Sequence, residues 1–310
     1  MNPTRDMVKE DRALTGISVA YRNPEYVWDR VFPVVQTNGR ESDFYFVYDP
    51  GNWFRNEARV VAPGDTTPVA GMILSKEPYV AEEYGVKQPL PERILKNQDP
   101  PLDLMASAAV YTADKVHLRL ETNLANMIFR TGVWANDIDI TVTSTPWDAT
   151  GAKDIIGDIK AAFDLVRGTG AKRPNTLLVS PAVWEVIAED QGILDRIRYT
   201  QRAVLTRDLL AALLEIDRVL VGNTIVNTAP AGMEPTFTNV WPEGVLAAYV
   251  APTPGLMMPT AGYTFEAQPM RTRKYWDEDR KSWLVETYEI SAFKVVGAGL
   301  GCFIHNILAG

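Results

Sequence analysis

The sequence predicts an α+β chain organised around one long helix. Three observations carry that expectation. Residues 99–132 place apolar side chains every three or four positions, with no Pro or Gly between Pro101 and Gly132. Residues 36–90 have extended character and no helical period. From residue 154 onward, short strands alternate with helices, the signature of an α/β layer unit.

The 310 residues are 46% hydrophobic, enough for one large or two modest cores. The formal net charge of -8 argues against nucleic acid as a ligand of the whole surface, because phosphate binding needs a basic field. The single Cys302 excludes an internal disulfide and fits a reducing compartment. The first sixteen residues lack the apolar core of a signal peptide, and no apolar run reaches the length of a membrane helix, so a soluble protein is expected with no membrane partner.

In chain order, Met1 to about Gly16 reads as a polar arm or short helix, and Ile17–Val35 as irregular chain laid along another surface. The stretch 36–90 contains extended pieces at Phe44–Asp49, Trp53–Val61 and Met72–Lys87, separated by turn signals at Asp49-Pro50-Gly51, Pro63-Gly64-Asp65 and Pro68. Two long strands joined by a broad turn would form a ribbon. A lone hairpin is marginal in water, so the ribbon either folds back on its own core or is covered by a neighbouring subunit.

The spine helix follows, with Asp99 as cap, Pro100 and Pro101 in its first turn and Gly132 as its stop. Its stripe is Met105, Ala109, Thr112, Val116, Leu120, Leu124, Met127 and Ile128, with Asp103, Asp114, Arg119, Glu121 and Asn126 mostly off it. Roughly thirty residues make a rod of about 45 Å. No strict heptad is sustained, so the rod reads as the support of a flat molecule and not as a coiled coil.

Ile138–Thr143 alternates as a strand and Trp147–Gly151 is a turn. Asp154–Arg167 is a helix ended by Gly168, and Asn175–Ser180 is a short buried strand. Ser180 caps a helix Pro181–Glu189; Gly192–Arg198 and Arg207–Leu214 are helical; Arg218–Val226 is a strand. Thr264–Gln268, Met270–Tyr275 and Lys281–Tyr288 are strands, two of them joined by the polar turn Trp276–Arg280, and Ala292–Ile304 returns to the core.

Catalytic chemistry is sparse. The two histidines, His117 and His305, have no second ligand at metal spacing, and no nucleophile elbow, P-loop or zinc-helix motif occurs. Gly297–Gly301 is glycine-rich but has no helix long enough behind it to cradle phosphate. Glu82 and Glu83 are adjacent on a predicted strand, so they point to opposite faces and make no acid–base pair. Cys302 sits among apolar neighbours as a small buried hydrophobe. No catalytic residue, metal site or cofactor is expected, and the chain reads as a non-enzyme.

Four stretches resemble the major capsid protein (major head protein) family of tailed bacteriophages, whose fold is shared with encapsulin shells: Leu14–Val35, Glu77–Arg93, Arg173–Tyr199 and Asp217–Ala229. Each is degenerate; the order of the four carries the likeness, which covers most of the chain. The resemblance implies a tailed-phage capsid fold. Its parts would be an N-terminal arm (1–35), an extended β-hairpin loop (36–92), a long spine helix opening a peripheral domain (93–150), an α/β axial domain (151–255) and returning strands (256–310). It implies hexamers and pentamers building an icosahedral virion shell around double-stranded DNA, held only non-specifically, with portal, scaffold and decoration proteins as partners and assembly in the host cytoplasm. The loop would lie on an adjacent subunit through Phe44, Tyr45, Phe46, Trp53, Phe54, Arg55 and Arg59, with Glu82 and Glu83 as intersubunit charges. Some relatives carry a long helical N-terminal extension that scaffolds assembly and is then cleaved; here only an arm and a ribbon precede the spine, which implies either a separate scaffold, the reading Met1 favours, or a mature form. Some also cross-link loop lysines, but nothing in the sequence assigns that role to Lys76 or Lys87. The alternatives are an encapsulin-like compartment and an α/β enzyme using residues 154–252.

Overall fold

The spine helix runs from Leu104 to Ile128 in a computed structural model that describes residues 11–20, 23–71, 75–97, 103–149, 153–197, 205–255 and 258–309. Asp103 caps it: one carboxylate oxygen accepts from the N–H groups of Met105 and Ala106, both at 3.0 Å. The expected cap Asp99 and the prolines Pro100 and Pro101 lie outside the described residues. At the other end the helix stops four residues before Gly132. The Trp134 indole N–H donates to the Ile128 carbonyl at 2.9 Å and so satisfies one terminal acceptor. Gly132 serves the following turn instead, at φ +79, with its N–H donating to Asp137 at 2.7 Å.

Every expected stripe residue from Ala109 to Ile128 is buried except half-buried Met127. The buried face is wider than the stripe, and it takes in Glu121, which the periodicity placed outside. The reason is that the helix packs on two partners. One side lies on a four-stranded sheet; the other meets the N-terminal segment and one face of a five-stranded sheet.

Before the spine, a helix Arg12–Ala20 starts within the stretch read as an arm or short helix, and its second half, with a single turn Trp28–Val31, replaces the irregular chain expected at Ile17–Val35. β1 (Val34–Gln36) follows, then β2 (Ser42–Val47) and β3 (Ser75–Val80), which pair antiparallel with each other, and β4 (Glu82–Pro91). Between β2 and β3, Asp49 caps one helical turn at Pro50–Trp53. The expected strand Trp53–Val61 does not form: among the described residues, 54–71 hold no regular structure.

After the spine come β5 (Asn136–Asp139), β6 (Thr176–Val179), β7 (Arg218–Val221), β8 (Ile225–Asn227), β9 (Phe237–Asn239), β10 (Val245–Ala248), β11 (Gly262–Asp277), β12 (Ser282–Val295) and β13 (Gly301–His305). The four-stranded sheet has the order β1-β11-β12-β4 and the five-stranded sheet β5-β13-β10-β6-β7. Segment 151–255 therefore supplies β6, β7 and β10, while β5 and β13 come from either side of it.

Several boundaries move for local reasons. The expected strand Ile138–Thr143 breaks because Asp139 caps a helical turn at Ile140–Thr143, accepting from the Thr141 N–H at 3.0 Å. The helix capped by Asp154 continues through Gly168 to Gly170 and ends at left-handed Ala171. Ser180 precedes the helix Pro181–Glu189 as expected, but its hydroxyl accepts from the Gly244 N–H instead of capping. The helix Gln191–Ile197 is described only to Ile197, whereas Arg207–Leu214 matches the expectation. Strand Arg218–Val226 splits at Gly222–Thr224. The two strands expected at 264–275 are one, β11, with register shifts between Glu266 and Gln268 and between Gln268 and Arg271.

The inner strands β13, β10 and β6 of the five-stranded sheet are buried on both faces. Val245 and Ala247 join a core with the helix Ile155–Gly170, while Leu246 and Ala248 face the spine. On the other sheet, four buried hydroxyls form a line: Ser18 to Thr272 at 2.7 Å, Thr272 to Thr287 at 2.8 Å, and Thr287 to Thr112 at 2.7 Å. That line ties the first helix, β11, β12 and the spine together with every polar atom partnered.

Gly262 marks a close approach. A Cβ there would lie 2.2 Å from the Phe32 ring, which is fully buried. Gly262→Ala must push the N-terminal segment off β11, and thermal denaturation of the subunit should show a loss of about 1–3 kcal/mol, the usual range for overpacking.

Candidate functional site

The expected contact residues divide into two groups. Tyr45 is turned inward: its hydroxyl donates to Glu77 at 2.7 Å and its ring lies 5.5 Å from Phe265. Tyr79 stacks on the same Phe265 at 4.5 Å. Burial, then the Glu77 carboxylate, hold the Tyr45 hydroxyl well above the usual range. This is a correction: Tyr45 is a buried anchor within its own subunit, packed on Phe265 of β11, and not an exposed contact residue. Strand alternation decides it, since Tyr45 faces in while Phe44 faces out at 62% exposure. Half-buried Phe46 lies under the Lys76 ammonium at 5.3 Å.

Beyond β2 the loop keeps its apolar side chains in solvent. Trp53 and Phe54 are about half exposed, and Val60 and Val69 are almost fully so. None of the hydrophobic cores includes a residue between 49 and 71. Lys172 sits 6.0 Å from the Phe54 ring and 5.7 Å from the Tyr249 ring, linking the loop to the region around β10. Arg55 lies 3.8 Å from Glu57, and Arg59 lies 3.9 Å from Asp65 while donating to the Thr66 carbonyl at 3.3 Å. These exposed pairs hold the loop's turns weakly. Glu82 and Glu83 are both exposed at the start of edge strand β4, with Tyr84 donating to Glu82 at 2.9 Å. A long edge of unpaired backbone with charged side chains is open to another chain.

The other chemical candidates resolve as structural. Cys302 is fully buried, and burial, then Asp137, push its thiol up to about 12, which disables it as a nucleophile. Gly297–Gly301 forms a 3-10 turn leading into β13, with no helix to aim N–H groups at phosphate. The His117 ring packs about 6 Å from Tyr26 and Trp28. Among the described residues no group of three His, Cys, Asp or Glu side chains converges to hold a metal. No described helix is long and apolar enough to cross a membrane.

Sequence reasoning missed two buried carboxylate sites. Glu121 accepts from the N–H groups of Val27 and Trp28 and from the Trp241 indole at 2.6 Å. Glu266 and Glu289 share a cleft beneath the N-terminal segment. No local pattern signals either, because their partners lie far away in sequence.

Comparisons with known proteins converge on one fold. The major capsid protein of Burkholderia phage BcepMu is 24% identical over 312 residues, covering 96% of both chains. A phage-related protein from Bordetella bronchiseptica RB50 superposes with a TM-score of 0.77 at 21% identity, covering 97% of this chain and 98% of that one. The capsid of the cyanophage P-SCSP1u matches with a TM-score of 0.59 at 12% identity over 92% of this chain and 89% of that one. No family model matches the sequence. The mixed helix-and-sheet fold of this chain matches that of phage capsid structures.

Proposed function

We infer that this chain, homologous along nearly its whole length to phage major capsid proteins, is the structural subunit of a tailed-phage head, and that copies of it assemble into an icosahedral shell. Hexamers and pentamers around double-stranded DNA are the arrangement this reading implies, with assembly in the host cytoplasm and with portal, scaffold and decoration proteins as partners. The reading assigns the chain no catalytic step.

The observation that carries it is the loop between β2 and β3. Trp53, Phe54, Val60 and Val69 are exposed on a segment that contributes nothing to the subunit's own cores, and Phe44 faces out from β2 just before it. A monomer gains nothing from holding such a segment in water; a neighbouring copy that covers it buries its apolar area at about 25 cal/mol per Å². Each contact is heterologous, which builds rings where the rotation between copies closes, and many weak contacts sum across a shell. Arg55, Arg59, Glu82 and Glu83 are the charges placed to set its register on that neighbour. The net charge of -8 keeps the wall from gripping packaged DNA.

Deleting Gly51–Pro68 tests this. The shortened chain is expected to stay soluble and folded, with an unchanged melting transition, while electron microscopy and sedimentation show no stable shells. Intact, equally stable particles from the deletion would overturn the role of the loop. Particle size also separates a phage head from an encapsulin-like compartment, and a discrete particle of one or two chains would remove both.

A further inference from the structure

A cleft of about 560 Å³ opens between the N-terminal segment, the spine and the irregular part of β11. Glu266 and Glu289 line it from β11 and β12, at 9% and 2% exposure. Gln36 donates to Glu266, but Oε1 of Glu289 accepts no hydrogen bond at all. Two buried carboxylates without a counter-ion are costly, and burial followed by the charge of Glu266 pushes Glu289 up to about 8. Asp29 adds a third acid to the wall and Arg30 a cation. The Arg30 guanidinium is engaged elsewhere, donating to the Tyr26 carbonyl at 3.0 Å and the Pro24 carbonyl at 3.3 Å. The register shifts at Glu266–Arg271 lie beside the cleft, where bulges characteristically re-aim side chains.

We propose that this cleft binds an organic cation, an alkylammonium or guanidinium group seated between Glu266 and Glu289 with its carbon chain against Trp28, Val34 and Met270. A cation there supplies the charge the pair lacks and a donor for the orphan oxygen. The aromatic and aliphatic wall suits a carbon-borne cation over a hydrated metal ion: Asp29 and His117 also line the cleft, but among the described residues no three His, Cys, Asp or Glu groups come together to hold a metal.

Two sources share this chemistry: a free polyamine and a basic side chain of a second copy. Calorimetric titration with putrescine at a pH above 8 distinguishes them, using the full chain before assembly and in assembled particles. The unassembled wild-type chain is expected to bind saturably. Glu289→Gln and Glu266→Gln, which keep side-chain size and remove a buried charge, are each expected to weaken binding about tenfold or more; circular dichroism melts verify that both fold. Binding by particles as well assigns the seat to a free amine. Binding by the unassembled chain alone assigns it to a side chain of the neighbouring copy. Absence of putrescine binding to the unassembled chain, or equal binding by wild type and both variants, overturns the proposal. The unassembled chain decides this whether or not the protein forms shells.

Discussion

Leu120→Pro is expected to leave no folded subunit. Leu120 lies in the middle of the 25-residue spine and is fully buried among Val116, Leu124 and the residues that face the five-stranded sheet. Proline there removes one backbone hydrogen bond and collides with the preceding turn, a cost of about 3 kcal/mol or more. Loss of the leucine side chain adds about 2–5 kcal/mol of core packing. Together these approach the whole stability of an ordinary domain, about 5–15 kcal/mol. The check is the soluble yield and far-ultraviolet circular dichroism of the variant. Normal expression with a cooperative melt and assembly would remove the spine from its central place.

Glu121→Ala is expected to cost about 3–5 kcal/mol, the range for leaving buried partners of a carboxylate unpaired. The Val27 and Trp28 N–H groups and the Trp241 indole N–H all donate to this one side chain, and Thr224 Oγ1 lies 3.5 Å away. The spine, the start of the turn Trp28–Val31 and the segment carrying Trp241 therefore meet on two oxygen atoms. A urea midpoint equal to wild type would show that water replaces the carboxylate at no cost.

The pH dependence has a definite sign. Burial lifts the Glu121 carboxyl from its ordinary 4.5 to about 7, although the Trp241 and backbone donors pull it down. The folded state thus holds the proton more tightly than the unfolded chain. Its contribution to stability is complete below pH 4.5 and lost as pH rises to about 7. The stability gap between wild type and Glu121→Ala should narrow across that window, and a gap that widened would reverse the assignment.

Much of the subunit was legible in the sequence. The stripe from Ala109 to Ile128, the helices starting near Asp154 and at Arg207, and the hairpin joining β11 to β12 all follow from neighbours within a few residues. The misplacements were of two kinds. Ile138–Thr143 alternates like a strand, yet Asp139 offered a competing local hydrogen bond that turned its second half into a helix. Tyr45 belonged to the exposed ribbon by composition, yet its parity on β2 turned it onto Phe265.

The amino-acid order alone determined the long amphipathic rod, the succession of strands and helices after it, and a ribbon too poor in self-contained core to stand by itself. It did so because periodicity and capping act over one or two turns of chain. Only the tertiary structure decided that Glu121 would be buried, that Glu266 and Glu289 would share a cleft, and that Phe44 and Trp53 would stay in water while Tyr45 went inside. Burial of a given side chain is set by which distant segment arrives on its face. For Glu121 those segments are 94 and 120 residues away, beyond the reach of any local pattern.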